Sequence, residues 1–200
     1  MPSRSYLRIK ALIDCLMAVI LLLIVMIPFS ILTLFLACYY RGNPFYVCER
    51  AGLLGKPFKQ YKFKSMFDSS AGELDSDKNR VSPVGKFLRE WSIDEIPQLI
   101  NIIKGDISFI GPRPLTCDYI AFYNKNEKRR LEVKPGLTGL AQVNGRNTIS
   151  WAEKFKFDVA YVDQFSLKLD MKILIRTIRV VLSREGVDQN ESTTAERFKG

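Results

Sequence analysis

The sequence predicts a mixed α/β fold, helix-rich with short strands, carried on an N-terminal apolar helix that enters a membrane. Three observations predict it. No residue from 15 to 40 is charged, and a run of that length meets the requirement of a membrane helix. Two short stretches, 44–48 and 58–67, are rich in aromatic and apolar residues and read as strands; the second interleaves Lys59, Lys62 and Lys64. Beyond residue 80, helix-start signals recur, first Ser82-Pro83 and then Ser92-x-x-Glu95.

The apolar segment admits three forms. A signal peptide needs a shorter apolar core and a small-residue cleavage site; Phe35-Leu36-Ala37-Cys38 loosely resembles a lipoprotein cleavage site, but the apolar run before it is long. A straight span fits the length. A re-entrant helix fits two further features. Pro28 stands mid-run, where it removes a backbone donor and favours a kink. Positive charge flanks both ends, with Arg4, Arg8 and Lys10 before and Arg41 and Arg50 after. Cytoplasmic flanks are the positive ones, so both ends look cytoplasmic. Asp14, near the entrance, is placed to pair with Arg8 or Lys10 near the lipid headgroups.

Residues 68–80 form a polar loop. Ser82 caps a helix over 83–91, with Pro83 in its first turn. Ser92 and Glu95 then have the spacing of a capping box, which starts a helix at Ile93 that runs to Lys104 and stops at Gly105. Asp94 and Glu95 fall in its first turn, where the helix dipole favours carboxylates. A pure capping role for both is the plain alternative. Two prolines hold Arg113 stiffly in Phe-Ile-Gly-Pro-Arg-Pro, as anion recognition needs and as any rigid turn would show. A charged helix is expected over 118–132. The glycine-rich run 134–147 allows the backbone to approach a ligand closely, yet lacks the P-loop spacing. A basic amphipathic helix over 170–186 places Ile173, Leu174, Ile178, Val181 and Leu182 on one side, as packing on a core or lying in a membrane interface both require. The expected organisation is a membrane helix over 1–41, one catalytic domain over 42–186 and a polar tail over 187–200.

Composition limits the chemistry. Of 200 residues, 30 are Lys or Arg and 21 Asp or Glu, with no histidine, for a net charge of +9. Anionic partners are favoured. Acid–base, nucleophilic or metal chemistry rests on carboxylates, Lys, Tyr, Ser or Cys. The four cysteines show no metal-ligand spacing and read as free thiols.

Three ordered runs carry a resemblance: Ser-Ile-Asp-Glu-Ile-Pro-Gln-Leu, Gly-Asp-Ile-Ser-Phe-Ile-Gly-Pro-Arg-Pro, and Pro-Gly-Leu-Thr-Gly-Leu-Ala-Gln-Val-Asn-Gly-Arg. Together they resemble the bacterial sugar transferases, specifically the small monotopic phosphoglycosyl transferases of the PglC type, over nearly the whole chain. The resemblance implies transfer of a phosphosugar from a UDP-sugar to polyprenyl phosphate, with release of UMP. It also implies a magnesium ion and a covalent enzyme intermediate. Asp94 matches the nucleophile, and Glu95 its partner carboxylate at the metal, with Asp94 beside it. Arg89, Arg113 and Arg146 match phosphate- or nucleotide-binding positions; Lys62, Gln142 and Asp158 fall in matching segments. The implied setting is the cytoplasmic face of the bacterial inner membrane, with phospholipid and other glycan-pathway enzymes as further partners. The implied membrane element is a re-entrant, proline-broken helix, and Ser30 stands two residues after Pro28 rather than before it.

Two rivals belong to other classes. A membrane-held interaction module without activity accounts for the charge and the apolar run but not for the ordered Asp-Glu and arginine motifs. A nucleic-acid binder accounts for the net charge, but no nucleic-acid motif is present, and nucleic acid is not an expected partner. Magnesium-dependent UMP release separates the enzyme from both.

Overall fold

The computed structural model describes residues 4–68, 80–145, 148–183 and 198, with side chains from residue 6. Most of the polar loop and of the tail, and Arg146, lie outside the described residues.

Helix α1 (Arg4–Tyr39) runs through Pro28 without leaving helical conformation. Ser30 and Thr33 donate to the carbonyls of Met26 and Phe29 at 2.8 and 2.7 Å, so hydroxyl back-bonding flanks the proline. One face of α1 lies on the rest of the protein along its whole length. Ala18, Leu22 and Val25 pack against Leu99, Ile102 and Ile107. Phe29, Leu32 and Leu36 pack with Phe63 and Leu88. This spacing of three and four residues is the inner stripe of a helix. The opposite face stays open: Leu23, Ile24, Ile27 and Leu34 are each more than 60% exposed.

A polar clasp holds the front of α1. Lys10 Nζ lies 2.9 Å from Asp170 and 3.6 Å from Asp14. Ser108 donates to Asp14 at 2.6 Å, and Tyr161 to Asp170 at 2.7 Å. Asp14 therefore pairs with Lys10 as expected, but it sits buried against the domain rather than among headgroups.

Strands β1 (Phe45–Ala51) and β2 (Pro57–Phe63) form an antiparallel hairpin, with Phe45 opposite Phe63. Its bend is a 3-10 turn at Leu53–Gly55. Helix α2 (Pro83–Glu90) begins as the sequence predicts: Ser82 Oγ accepts from the Gly85 N–H at 2.8 Å. Helix α3 is Gln98–Lys104 and ends at Gly105, whose φ of 78° suits a residue without a side chain.

Strands β3 (Ser108–Ile110) and β4 (Gly136–Thr138) pair in parallel. The glycine-rich run is needed here for the protein's own backbone. A Cβ on Gly136 would stand 2.1 Å from the Gly111 nitrogen, and one on Gly139 2.1 Å from the Gly111 oxygen. Helices α4 (Trp151–Gln164) and α5 (Leu167–Ser183) cover this pair. Ile110, Val133, Val143, Tyr161, Val162 and Ile173 form their shared core.

Away from the Asp94 segment, two helix expectations change. The segment 118–132 is not one helix but two 3-10 turns, Cys117–Phe122 and Glu127–Glu132. The Asn124 side chain accepts from the N–H groups of Asn126 and Glu127 at 2.9 Å and starts the second turn afresh. Helix α5 begins three residues earlier than expected and carries two apolar faces. Ile173 points into the core, whereas Ile175, Ile178 and Leu182 are 64%, 56% and 68% exposed.

Candidate active site

Five of the residues singled out in the sequence converge: Lys62, Arg89, Asp94, Glu95 and Arg113. Lys62 comes from β2, whose outer edge is held by side chains of α3. Asn101 accepts from the Tyr61 N–H at 3.0 Å and donates to the Lys59 carbonyl at 2.7 Å. Gln60 donates to Gln98 at 2.9 Å. The Asn101 amide thus stands where a third strand would, Gln98 holds the Gln60 side chain, and together they set Lys62 beside the carboxylates.

The carboxylates come from a different local structure than the capping box predicts. Ser92 takes a left-handed conformation, with φ 56°, and its side chain caps nothing. Ile93–Glu95 is a 3-10 turn, and α3 starts three residues after Glu95. Ile93 and Ile96 pack against the Leu36, Phe63 and Leu88 cluster and orient the two acids between them. A cap contributes about 1 kcal/mol. Charge-assisted bonds to two cations outweigh it. Glu95 Oε1 receives Lys62 Nζ at 2.6 Å and Arg113 Nη2 at 3.2 Å. Lys62 Nζ also lies 3.8 Å from Asp94 Oδ2. Positive potential at this site therefore comes from side chains, not from a helix end under Asp94.

The two acids part company electrostatically. Burial pushes Asp94 up to about 6; Lys62 pulls it down, Glu95 pushes it up again, and Arg89 and Arg113 pull it down. Burial also acts upward on Glu95, but Lys62 and Arg113 outweigh it and hold the carboxyl at about 2. Glu95 is thus a fixed charge, while Asp94 is a weakly stabilised carboxylate at neutral pH.

Arg89 leaves α2 to donate from Nε to Ser65 at 2.9 Å. Arg113 follows Gly111-Pro112, and its side chain is half exposed. Its backbone oxygen accepts from Arg130 Nη2 at 2.7 Å. Gln142 sits on the turn after β4, with both amide atoms buried and unpartnered among the described residues. Asp158 is 3% exposed and is held by Arg130 through Nε and Nη2, at 2.9 and 2.8 Å. No described contact brings Gln142 or Asp158 to the carboxylate pair.

Sequence reasoning missed Arg130, Ser65, Gln60, Gln98 and Asn101. Gln98 stands inside the Ser-Ile-Asp-Glu-Ile-Pro-Gln-Leu run, which by itself gives it no role; each of the five matters through a partner distant in the chain. It also missed α4, for which a signal existed: Ser150 and Glu153 form a true capping box.

The donor set fits a magnesium ion. Among the described residues, contacts to Glu95 fall on Oε1 and the contact to Asp94 on Oδ2, which leaves an oxygen on each acid for a hard cation. Among those residues no group of three Asp, Glu, Cys or His gathers anywhere. Magnesium needs no such cage, since it takes one or two carboxylates together with phosphates and water.

The sequence pattern of the bacterial sugar transferases matches residues 5–184. This chain belongs to the bacterial sugar transferase family. It is 51% identical to the uncharacterized sugar transferase EpsL of Bacillus subtilis, over 86% of this chain and 88% of that one. It is 38% identical to the undecaprenyl-phosphate galactose phosphotransferase of Salmonella typhimurium, over 84% of this chain and 39% of that one. A UDP-glucose:undecaprenyl-phosphate glucose-1-phosphate transferase of Klebsiella pneumoniae is also 38% identical, over 69% of this chain and 32% of that one. The chain thus spans most of the Bacillus relative and well under half of the other two.

Proposed function

We propose that this sugar transferase moves a sugar phosphate from a UDP-sugar to a polyprenyl phosphate and releases UMP. The enzyme class, a phosphoglycosyl transferase acting on an undecaprenyl-phosphate acceptor, follows from the family and its named relatives. One observation carries the finer reading: adjacent carboxylates with opposite displacements, gathered under Lys62, Arg89 and Arg113.

Asp94 acts as nucleophile. Its oxygen forms a bond to the sugar-bearing phosphorus, and the bond from that phosphorus to the UMP oxygen breaks. UMP leaves with the electron pair. A polyprenyl phosphate oxygen then attacks the same phosphorus, and the aspartyl bond breaks to return the carboxylate. No general base is required, because both nucleophiles are already ionised at neutral pH, which agrees with a chain lacking histidine. Lys62 and Arg113 hold Glu95 ionised and offset the repulsion between carboxylate and phosphate. Arg89 also lowers the proton affinity of Asp94. Magnesium, held by Glu95 with Asp94, would supply charge neutralisation for the diphosphate. Arg113 and Arg146 bind donor phosphates; Gln142 lies in the segment leading to Arg146.

The membrane reading rests on α1 and α5. Helix α1 is about 54 Å long at 1.5 Å per residue, far more than a ~30 Å hydrocarbon core requires. The domain grips it near Lys10 and again at Tyr40, whose hydroxyl lies 2.6 Å from Ser82. A straight span would carry one of these ends away from the domain. We therefore read α1 as a helix that does not cross the bilayer: both ends stay with the domain, and its open apolar face sits in one leaflet. The exposed apolar stripe of α5, bordered by exposed Lys168, Lys172, Arg176 and Arg179, suits the adjoining phospholipid headgroups. Nucleotide sugars are made in the cytoplasm, so the cytoplasmic face of the inner membrane is the working side.

The test is UMP release from a panel of UDP-sugars, with magnesium and undecaprenyl phosphate, comparing wild type with Asp94→Asn. Release with one donor, abolished in the variant, is the expected result. Release by the variant at the wild-type rate removes Asp94 as nucleophile.

A further inference from the structure

We infer that Phe198, which has no described contact with the reacting groups, is a positioning residue for Arg113 and acts through Arg130; this rests on the reading of Arg113 as a donor-phosphate ligand. Phe198 lies beyond α5 and is seated among five aromatic rings. Its centroid is 5.0 Å from Phe155, 5.6 Å from Trp151, 5.7 Å from Tyr119, 6.2 Å from Tyr123 and 6.3 Å from Phe122. Three of the five contacts are edge-to-face, the geometry that ring quadrupoles favour. Its backbone N–H also donates to the Tyr119 hydroxyl at 3.2 Å. A side chain held on so many sides is seated, not merely nearby.

Two of those rings have a second task. The Arg130 guanidinium lies 5.6 Å from the Tyr123 ring and 5.6 Å from the Phe155 ring. Arg130 is 3% exposed, so these rings form part of the wall that keeps water from a buried cation. Its charge is met by Asp158, and Nη1 donates to the Tyr123 hydroxyl at 3.1 Å. The remaining reach of Arg130 goes to the Arg113 carbonyl, at 2.7 Å. Arg113 in turn places its own guanidinium on Glu95. The path Phe198–Phe155/Tyr123–Arg130–Arg113–Glu95 is continuous, each link a packed or hydrogen-bonded contact.

Phe198 completes the aromatic cover over Arg130, and Arg130 fixes the backbone from which Arg113 projects. Removing the ring loosens Tyr123 and Phe155 and, through them, the aim of Arg113. Because Arg113 is read as a ligand of the donor phosphates, the effect is read first in nucleotide affinity.

The experiment uses the full chain in detergent with magnesium, in a Trp91→Phe background so that emission reports Trp151 alone, and UMP as the titrant. Phe198→Ala is expected to shift Trp151 emission and weaken UMP binding about 2- to 10-fold, the range for lost aromatic packing. Phe198→Leu, which keeps apolar cover, restores most of the lost affinity. Unchanged emission in Phe198→Ala overturns the seat. Shifted emission with unchanged UMP affinity overturns the positioning role, even if the melting temperature falls. Arg113→Ala is the reference. If it too binds UMP as wild type does, the functional reading of Arg113 fails, and the inference with it.

Discussion

Lys62 Nζ stands 2.6 Å from Glu95 Oε1 and 3.8 Å from Asp94 Oδ2, so one ammonium spans both carboxylates unequally. The nearer acid becomes a permanent anion. The farther one, buried and only partly compensated, keeps a proton affinity near neutrality. Division of labour between two adjacent acids thus follows from burial and from the closer hold of Lys62 and Arg113 on Glu95.

On the proposed mechanism, Asp94→Asn removes the charge of the attacking oxygen. Turnover is expected to fall by at least about a thousandfold, as for other removed nucleophiles. A donor-panel assay for UMP checks it, and only a modest loss would exclude an aspartyl intermediate.

Glu95→Gln leaves Lys62 and Arg113 facing a neutral amide. The magnesium concentration for half-maximal activity is expected to rise several-fold, since a neutral oxygen is the poorer ligand for a hard cation. A metal titration identical to wild type would assign Glu95 to holding the two cations alone.

In magnesium-free protein Asp94 is expected to titrate near pH 6, read from labelled-aspartate carboxyl NMR. Its raised value means that the folded state holds the proton more tightly than the unfolded one. Its contribution to stability is thus full below about pH 4 and lost as pH rises through 6. Glu95 has the opposite sign: its contribution is present above about pH 4.5 and lost as pH falls towards 2. Lys62→Met should move Asp94 further up, because the ammonium is its strongest opposing charge. A downward shift would contradict the geometry.

Asp158→Leu strips the partner from buried Arg130. An uncompensated buried cation costs about 3–5 kcal/mol. Urea unfolding should therefore show a large loss of stability in Asp158→Leu. Loss of donor affinity without loss of stability would instead place Asp158 on the substrate.

Single cysteines at positions 8 and 42, in a background without the native four, test the path of α1. Labelling of both from the same side of sealed vesicles is expected. Labelling from opposite sides would make α1 a span.

Much of this was legible locally. The uncharged run, the Ser82 cap, the Gly105 stop and the Asp94-Glu95-arginine set each depend on a few neighbouring residues. Legibility failed where one local signal met a stronger distant partner. Ser92-x-x-Glu95 spells a capping box, yet Glu95 is claimed by Lys62, 33 positions away. The glycines after Pro135 look like a ligand loop, yet the backbone they admit is that of Gly111. The charged stretch from Asp118 looks helical, but Asn124 restarts its hydrogen bonding midway.

What the sequence by itself determined is the cast: a long apolar helix, a basic domain without histidine, and an ordered set of acids and arginines. Hydrophobic periodicity and residue chemistry are properties of short windows. The tertiary structure alone decided the roles. It laid the inner face of α1 along the whole domain, buried Asp158 on Arg130 rather than in the open, and set Lys62 between two acids. Burial and separation between residues distant in the chain fix a carboxylate's proton affinity, and neither quantity exists until the chain has closed on itself.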